Sequence, residues 1–481
     1  MKKYYITAAI PYVNASPHLG HALEFVQSDV IARYHRLLGE KTLLLTGADE
    51  NSLKNVQAAE KLGISTQKLC DENSKKFQEL ISALNLSFDV FQRSSSQTHI
   101  KGSQKLWQLC DKNGDIYKKK YKGLYCVGCE TFYTKDELTP EGKCPEHLTV
   151  PQKVEEENYF FRLSKYQDKL LDLITTDKIK IIPETRKNEV VSFIKMGLSD
   201  FSISRSKERA KNWGVPVPSD PTQIIYVWFD ALNVYQTGVG FGSDEKSYKL
   251  WWPTDVHVIG KGIIRFHAIY WPAILLSAHL PLPKSIFVHG YITTEGQKMS
   301  KTLGNIIDPF EVINKYGTDP LRYYLLREVP SYSDGDFSLL RFKGVYNADL
   351  ANGLGNLISR VAKLCENSGF RLDPKDKKTE RFKSIVQHSL EKFDFNKALE
   401  YIWRSDIKWG LKWLDQDINE AKPWQINDKK FLNLKLHLYV TNIREIAYNL
   451  QPFLPKTAEK ILEQFSGPTI QSQPPLFPRL T

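Results

Sequence analysis

The sequence predicts an α/β fold in which a parallel sheet is split by an insertion and followed by an all-helical region. Three observations carry that expectation. Apolar, β-prone runs alternate with amphipathic helical periods over residues 1–115, the pattern of βαβ units. The alternation gives way at about Ile116 to an aromatic, lysine-rich and cysteine-bearing stretch reaching residue 223, and resumes over 224–335. From about Asp336 onward, apolar residues recur at three- and four-residue spacing, which reads as helix.

Taken in order, Tyr4–Ile10 is a strand run, His21–Leu38 an amphipathic helix, and Thr42–Thr46 with Leu53–Leu62 a second such pair. The strand, loop and helix order places His18 and His21 at a helix N-terminus, where backbone N–H groups and the helix dipole favour anions. Two imidazoles three residues apart can aim ring N–H donors at one phosphate. No G-x-x-x-x-G-K-[S/T] sequence lies near them, so imidazoles rather than a glycine nest would hold it.

The insertion opens with the hairpin-like run Tyr117–Tyr121, whose lysines read as a solvated face, and leads into Cys126-x2-Cys129 and Cys144-x2-His147. That is the spacing of a tetrahedral Cys3His zinc knuckle, closed and structural because four protein ligands leave no position for substrate. The bland alternative is ordinary core cysteines; Cys70, Cys110 and Cys365 lie outside the cluster. The α/β pattern returns at Ile224–Phe229 and Asp255–Ile259, then a helix through Ser277 and a strand at Ile286–His289.

Next comes Lys298-Met299-Ser300-Lys301-Thr302, with Gly296 before it and Gly304 after it, which suggests a mobile loop. Lysines are flexible point charges suited to phosphate. Two of them can neutralise charge developing on pyrophosphate as it leaves ATP. Helices are expected at Asp349–Glu366, Glu380–Asp394, Phe395–Gln416 and Phe431–Gln451, with a charged loop at Asp373–Arg381 and a Pro- and Ser-rich tail from Ser466 to Pro478.

A chain of 481 residues is too long for one core and implies about three domains. Lys and Arg number 66 against 55 Asp and Glu, and the net charge of +11 favours a polyanionic partner. The apolar run after Met1 ends at Pro11, unlike a signal peptide, and Ile269–Leu276 is interrupted by Pro272 and too short to span a bilayer. Six cysteines are too few for a disulfide scaffold. These features lead us to expect a soluble cytoplasmic protein.

Pro17-His18-Leu19-Gly20-His21 and Lys298 to Thr302, in this order, resemble the HIGH and KMSKS signatures of the class I aminoacyl-tRNA synthetases, with Thr302 keeping the hydroxyl of the usual serine. Ala9 to Asn14, Tyr226 to Leu232, Ile259-Gly260-Lys261, Phe266-His267, Phe287 to Tyr291 and Gly353 to Leu357 are similar to segments of the methionine-specific members. The resemblance implies a Rossmann-like catalytic domain in two halves, 1–115 and 224–335. It also implies a connective peptide with the zinc knuckle at 116–223 and a helical anticodon-binding domain at 336–481.

The implied activity is ATP-dependent activation of L-methionine with release of pyrophosphate, then transfer to the 3′ end of tRNA(Met), the initiator included, with Mg2+ and one structural Zn2+. Neither step needs a protein nucleophile. Catalysis then rests on positioning and charge stabilisation by His18, His21, Lys298 and Lys301. ATP would meet these four together with Gly20, Gly260, His289, Gly290 and Ile292. Methionine, apolar and polarisable, suits a site of aromatic and aliphatic groups with an acid for its ammonium. The matching positions are Ile10, Tyr12, Trp228, Ala231, Leu232, Tyr235, Ile263, Phe266 and His267, with Asp49 as the acid. Asn356, Arg360 and Trp424 match the family's anticodon readers, and a monomer is expected.

Two departures stand out. Asp49-Glu50-Asn51-Ser52 replaces the family's Asp-Glu-His-Gly, a mild change because Asn51 keeps hydrogen-bonding capacity. Gly260-Lys261-Gly262-Ile263 replaces Gly-Lys-Asp-Ile and so loses a carboxylate expected near the nucleotide ribose, which implies either a weaker grip on ATP or a substitute acid such as Glu295. Rival readings are a class I synthetase for cysteine, leucine, isoleucine or valine, and a zinc-knuckle nucleic-acid binder with a decayed ATP site. The chain lacks length for the large editing insert of the branched-chain enzymes, and Tyr12, Trp228 and His267 fit methionine better.

Overall fold

Six strands form the central sheet: β1 (Lys3–Ala8), β2 (Lys41–Ala48), β3 (Val90–Arg93), β4 (Lys180–Ile182), β5 (Val256–Gly260) and β6 (Ser285–His289), in the order β3-β2-β1-β5-β6-β4. Pairing is parallel from β3 through to β5 and between β6 and β4, with Ile6 opposite both Val256 and Leu44. The computed structural model describes residues 2–126, 131–133, 135–145, 148–298, 307–373 and 381–480. These divide into one unit of Met1–Pro17, Gly39–Ser82 and Ser87–Val288, and another of His18–Leu38, Ala83–Leu86 and His289–Thr481.

In the first unit the sheet is apolar on both faces. Tyr5, Ile6, Thr7 and Ala8 are all fully buried, as expected of a parallel sheet covered on each side. Four of the six strands lie where the apolar runs put them. The insertion hairpin is also present: Ile116–Cys126 pairs antiparallel with Gln152–Phe161, Ile116 opposite Phe161 and Tyr125 opposite Gln152. Lys118, Lys119 and Lys120 are exposed along it.

Ile224–Phe229 is a correction. Asp220–Ile225 is an antiparallel strand between Ser204–Ser206 and Pro216–Val217, and Val227–Ala231 is a short helix. Six apolar residues do not by themselves distinguish a parallel strand from a strand-to-helix junction.

The second unit is mostly helical. Leu19–Leu37 is followed, after residue 289, by a small sheet of Ile292–Thr294, Gln297–Lys298 and Gly335–Phe337 and by a series of helices ending at Pro455–Gln464. The expected helix Phe395–Gln416 is instead two, Phe395–Trp403 and Leu411–Ala421. Between them the chain turns so tightly that a Cβ on Gly410 would lie 2.2 Å from the Arg404 carbonyl oxygen, an approach only glycine allows. Most of the charged loop expected at Asp373–Arg381 lies outside the described residues. Among the described residues, no helix is long and apolar enough to cross a membrane.

Candidate active site

The helix Leu19–Leu37 starts with an unusual cap. His18, in extended conformation, is the N-cap; its Nδ1 accepts the Gly20 N–H at 3.0 Å, while the His18 N–H donates to His21 Nδ1 at 3.2 Å. This is a capping box made of imidazoles. Because each Nδ1 accepts, the ring proton of each neutral histidine sits on Nε2. The rings lie 3.9 Å apart, and burial together with the neighbouring His18 holds the His21 pKa well below the ordinary histidine value. Gly20 makes room for this arrangement: a Cβ there would lie 2.9 Å from His18 Cε1.

In the same unit, His289 Nε2 lies 3.0 Å from Glu24 Oε2 and its Nδ1 lies 2.7 Å from the Gly290 carbonyl oxygen. Gly290 passes so close to Ser333 that a Cβ would fall 2.2 Å from its backbone. Ile292 begins a hairpin with Gln297–Lys298, closed by Glu295 and Gly296 at φ 52° and 75°. Two successive positive φ values are the geometry of a tight two-residue hairpin turn. Gly296, read from sequence as the flank of a mobile loop, is therefore half of that turn, and Glu295 is exposed on it. Lys301 and the rest of the loop lie outside the described residues, as does the Lys298 side chain.

The first unit holds the apolar set. Trp228 stacks on Phe266 at 3.7 Å and 4°, meets Tyr12 edge-on at 6.2 Å, and lies 6.5 Å from His267. Ala231, Leu232 and Tyr235 are buried, while Ile10, Tyr12, Ile263 and Phe266 are half-buried. Phe266 and His267 open a π-helical turn, Phe266–Tyr270, a distortion frequent at functional sites. His267 Nδ1 donates to the Ile263 carbonyl at 3.0 Å, so its Nε2 accepts the Tyr235 hydroxyl at 2.8 Å. Burial lowers the His267 pKa to about 4, which keeps this neutral tautomer. Trp228 Nε1 is buried without a hydrogen-bond partner among the described residues.

Asp49, buried, extends the line of β2 and bridges to Tyr12, its N–H donating to the Pro11 carbonyl at 2.9 Å. Gly260 ends β5 and Gly262 is exposed. Asn51 donates to Asp230 Oδ2 at 2.6 Å and to the Ser94 carbonyl at 3.0 Å, so the substituted position does form hydrogen bonds. Sequence reasoning missed Glu24, Asp230 and Glu50, whose buried carboxylate meets Arg93, Ser74 and Ser95. Glu24 stands one helical turn from His21, and that spacing could have drawn attention to it.

Of the expected zinc ligands, Cys126 and Cys144 are buried, with Cys144 Sγ 3.6 Å from the Tyr133 hydroxyl, whereas Cys129 and His147 lie outside the described residues. Cys144 sits in a turn, its N–H donating to the Thr149 carbonyl and its carbonyl accepting from Leu148 N–H. In the helical region Asn356 is exposed at the start of Asn356–Ser368, just after the π-helical segment Tyr346–Gly355. Arg360 pairs with Asp415 at 2.5 Å and with Asn419 at 2.7 Å. Trp424, in the turn Pro423–Gln425, is 55% exposed.

A family model described as "tRNA synthetases class I (M)" matches residues 4–153 and 147–362. A methionine–tRNA ligase of Brucella melitensis is 41% identical over 498 residues, spanning 98% of this chain and 93% of that one. The chain belongs to the methionyl-tRNA synthetases of class I. A methionine–tRNA ligase of Clostridium acetobutylicum is 42% identical over 97% of this chain and 73% of its own. Mycobacterium tuberculosis methionyl-tRNA synthetase in complex with methionyl-adenylate superimposes with a TM-score of 0.92 at 38% identity, covering 100% of both chains. Its apo form gives 0.85 at 36% identity. As a member of this family, the synthetase is a methionine–tRNA ligase: it activates methionine with ATP and charges tRNA with it.

Proposed function

We propose that the ligase reaction is carried by the residues described above in the two units. The methionine carboxylate attacks the α-phosphate of ATP, delivered as its Mg2+ complex, and pyrophosphate leaves; a terminal ribose hydroxyl of tRNA(Met), initiator included, then attacks the mixed anhydride and AMP leaves. One observation carries the assignment of His18 and His21. Backbone N–H groups occupy both Nδ1 atoms, so each neutral ring carries its proton on Nε2, the tautomer that places an N–H donor for phosphate oxygens as charge develops on them. Gly20, Gly290 and Ile292 shape the backbone around ATP, and Lys298 and Lys301 supply positive charge to the departing pyrophosphate. Gly260 belongs to the same nucleotide-binding set.

The methionine side chain is read against Tyr12, Trp228, Phe266 and His267, with Ile10, Ala231, Leu232, Tyr235 and Ile263 around them and Asp49 for the ammonium. Neutral His267, fixed by Tyr235 and Ile263, presents no charge to an apolar thioether. For the ribose we favour Glu24 over Glu295, since Glu24 is buried beside His289 and Glu295 is exposed at a turn. Asn356, Arg360 and Trp424 read the anticodon, a role that exposed Trp424 suits because single-stranded bases stack on aromatics.

The zinc reading rests on the donor set. Two buried cysteines, a third cysteine and a histidine at knuckle spacing fit a tetrahedral structural ion, which ties the two cysteine-bearing segments together and takes no part in the chemistry. Five cysteines outside any disulfide among the described residues fit a reducing, cytoplasmic setting, and a monomer is the simplest assembly. Pyrophosphate exchange with a panel of amino acids tests the whole reading. Exchange with methionine alone supports it; exchange with cysteine, leucine, isoleucine or valine, or none at all, would sink it.

A further inference from the structure

One buried carboxylate near the methionine site makes its side-chain hydrogen bonds to residues outside the set assigned to substrate. Asp230 is fully buried on the short helix Val227–Ala231. It accepts from His99 Nε2–H at 2.8 Å on Oδ1 and from Asn51 Nδ2 at 2.6 Å on Oδ2. In the neutral ring, a proton on Nε2 for the carboxylate leaves Nδ1 to accept from the Thr237 hydroxyl at 2.8 Å. Ser103 Oγ lies 3.1 Å from the same Nε2. His99, Ser103 and Asp230 are wholly buried and Thr237 nearly so.

The members of this network bear a regular relation to the methionine set. Asn51, Asp230 and Thr237 each follow a pocket residue, Asp49, Trp228 and Tyr235, by two positions. Residues two apart on a helix do not face each other. The pocket residues and the network residues on the two helical segments therefore point to opposite sides. Behind the pocket, the single carboxylate of Asp230 ties the segment of the ammonium acid to the helix carrying Trp228, and through His99 to the helix carrying Tyr235. A buried carboxylate with two good donors holds its geometry firmly, because losing either donor leaves buried charge uncompensated.

We propose that Asp230, gripped by Asn51 and His99, is a positioning residue that sets the spacing between Asp49 and the Trp228–Tyr235 wall, and with it the side-chain length the enzyme accepts. The inference rests on the methionine-site reading above. Differences of one methylene are worth only about 10- to 200-fold in an apolar pocket, so discrimination depends on walls that do not shift.

The test uses the full-length enzyme and pyrophosphate exchange with methionine, norleucine and ethionine. In Asp230→Asn the new amide sets a donor against a donor. Its methionine KM should rise about 30-fold and its preference for methionine over the two analogues fall about 10-fold, while the ATP KM stays within about twofold. Asn51→Asp combined with Asp230→Asn reverses the polarity of the pair and should recover most of both losses. Asn51→Ala, which removes one arm only, serves should Asp230→Asn fail to fold, with a smaller loss of the same kind expected. Unchanged discrimination in Asp230→Asn and Asn51→Ala, or an equal rise in both KM values, overturns the inference. Asp49→Asn separates the two readings: an unchanged methionine KM there overturns the pocket assignment itself. A raised KM in Asp49→Asn with normal discrimination in Asp230→Asn overturns this inference alone.

Discussion

Arg322 Nη1 lies 2.8 Å from Asp29 Oδ2, and both side chains are completely buried. Asp29 stands on the helix that begins beside His18 and also accepts from Arg33 Nε at 2.8 Å. Three further donors of Arg322 are spent on backbone: Nε on the Phe453 carbonyl at 2.8 Å, Nη2 on Pro452 at 2.9 Å and Nη1 on Leu84 at 3.3 Å. Burial lowers the guanidinium pKa, and the Asp29 carboxylate works against that. Within its unit, then, the histidine-bearing helix is moored to Thr318–Arg327 and to the chain leading into the last helix.

Replacing Arg322 by Met should be strongly destabilising, because it strands three carbonyls and half of the charge that satisfies Asp29. Breaking one partner of a buried pair typically costs about 3–5 kcal/mol; with Arg33 still in place the lower end is expected. Urea unfolding followed by circular dichroism measures it, and a loss under about 1 kcal/mol would mean that the pair anchors nothing.

Gly20→Ala separates geometry from stability. The added Cβ presses on the His18 ring, while alanine suits a helix better than glycine. We expect amino-acid activation to slow by about tenfold with thermal stability unchanged or slightly raised. Normal activation in this variant would show that His18 need not hold its capping position.

Acid should weaken the fold through its neutral histidines. The His267 pKa is about 4 in the folded chain against a starting value of 6.5, so below 6.5 the unfolded chain takes up a proton that the folded one refuses. The stability is fully present above 6.5, is lost as pH falls towards 4, and changes no further below that. Moving an imidazole that far is worth about 3 kcal/mol. His21 and His257 are shifted in the same direction, chiefly by burial. Denaturant titrations should therefore show a loss between about pH 7 and about pH 4 that shrinks by about 3 kcal/mol in His267→Gln; an undiminished loss would contradict the assignment.

Trp424→Ala tests the helical region by itself. Base–aromatic stacking is worth about 1–3 kcal/mol, so the KM for tRNA(Met) should rise between about 5- and 150-fold, with pyrophosphate exchange unaffected. Loss of exchange instead would point to a folding defect.

How much of this was legible depends on the range of the interactions. β1, β2, β5 and β6 are long apolar runs and were readable. β3 and β4 were not: Val90–Arg93 is half polar and Lys180–Ile182 has three residues, too few for a period to show. The approach to Trp228 misled because Ile224 to Phe229 is uniformly apolar across a change from strand to helix. His18, His21, Tyr12 and Trp228 could be picked out from local motifs. The couplings of Asn51 to Asp230, 179 residues apart, and of His289 to Glu24, 265 apart, have no local signature and became visible only once the chain was folded.

The most direct measurement is single-turnover formation of methionyl-adenylate by the wild-type enzyme, His21→Asn and Lys298→Ala, alongside methionine affinity from tryptophan fluorescence. If imidazole and lysine donors stabilise the departing pyrophosphate, each variant should form adenylate at least about 100-fold more slowly while binding methionine as tightly as wild type. Adenylate formation at the wild-type rate in either variant would contradict that central assignment.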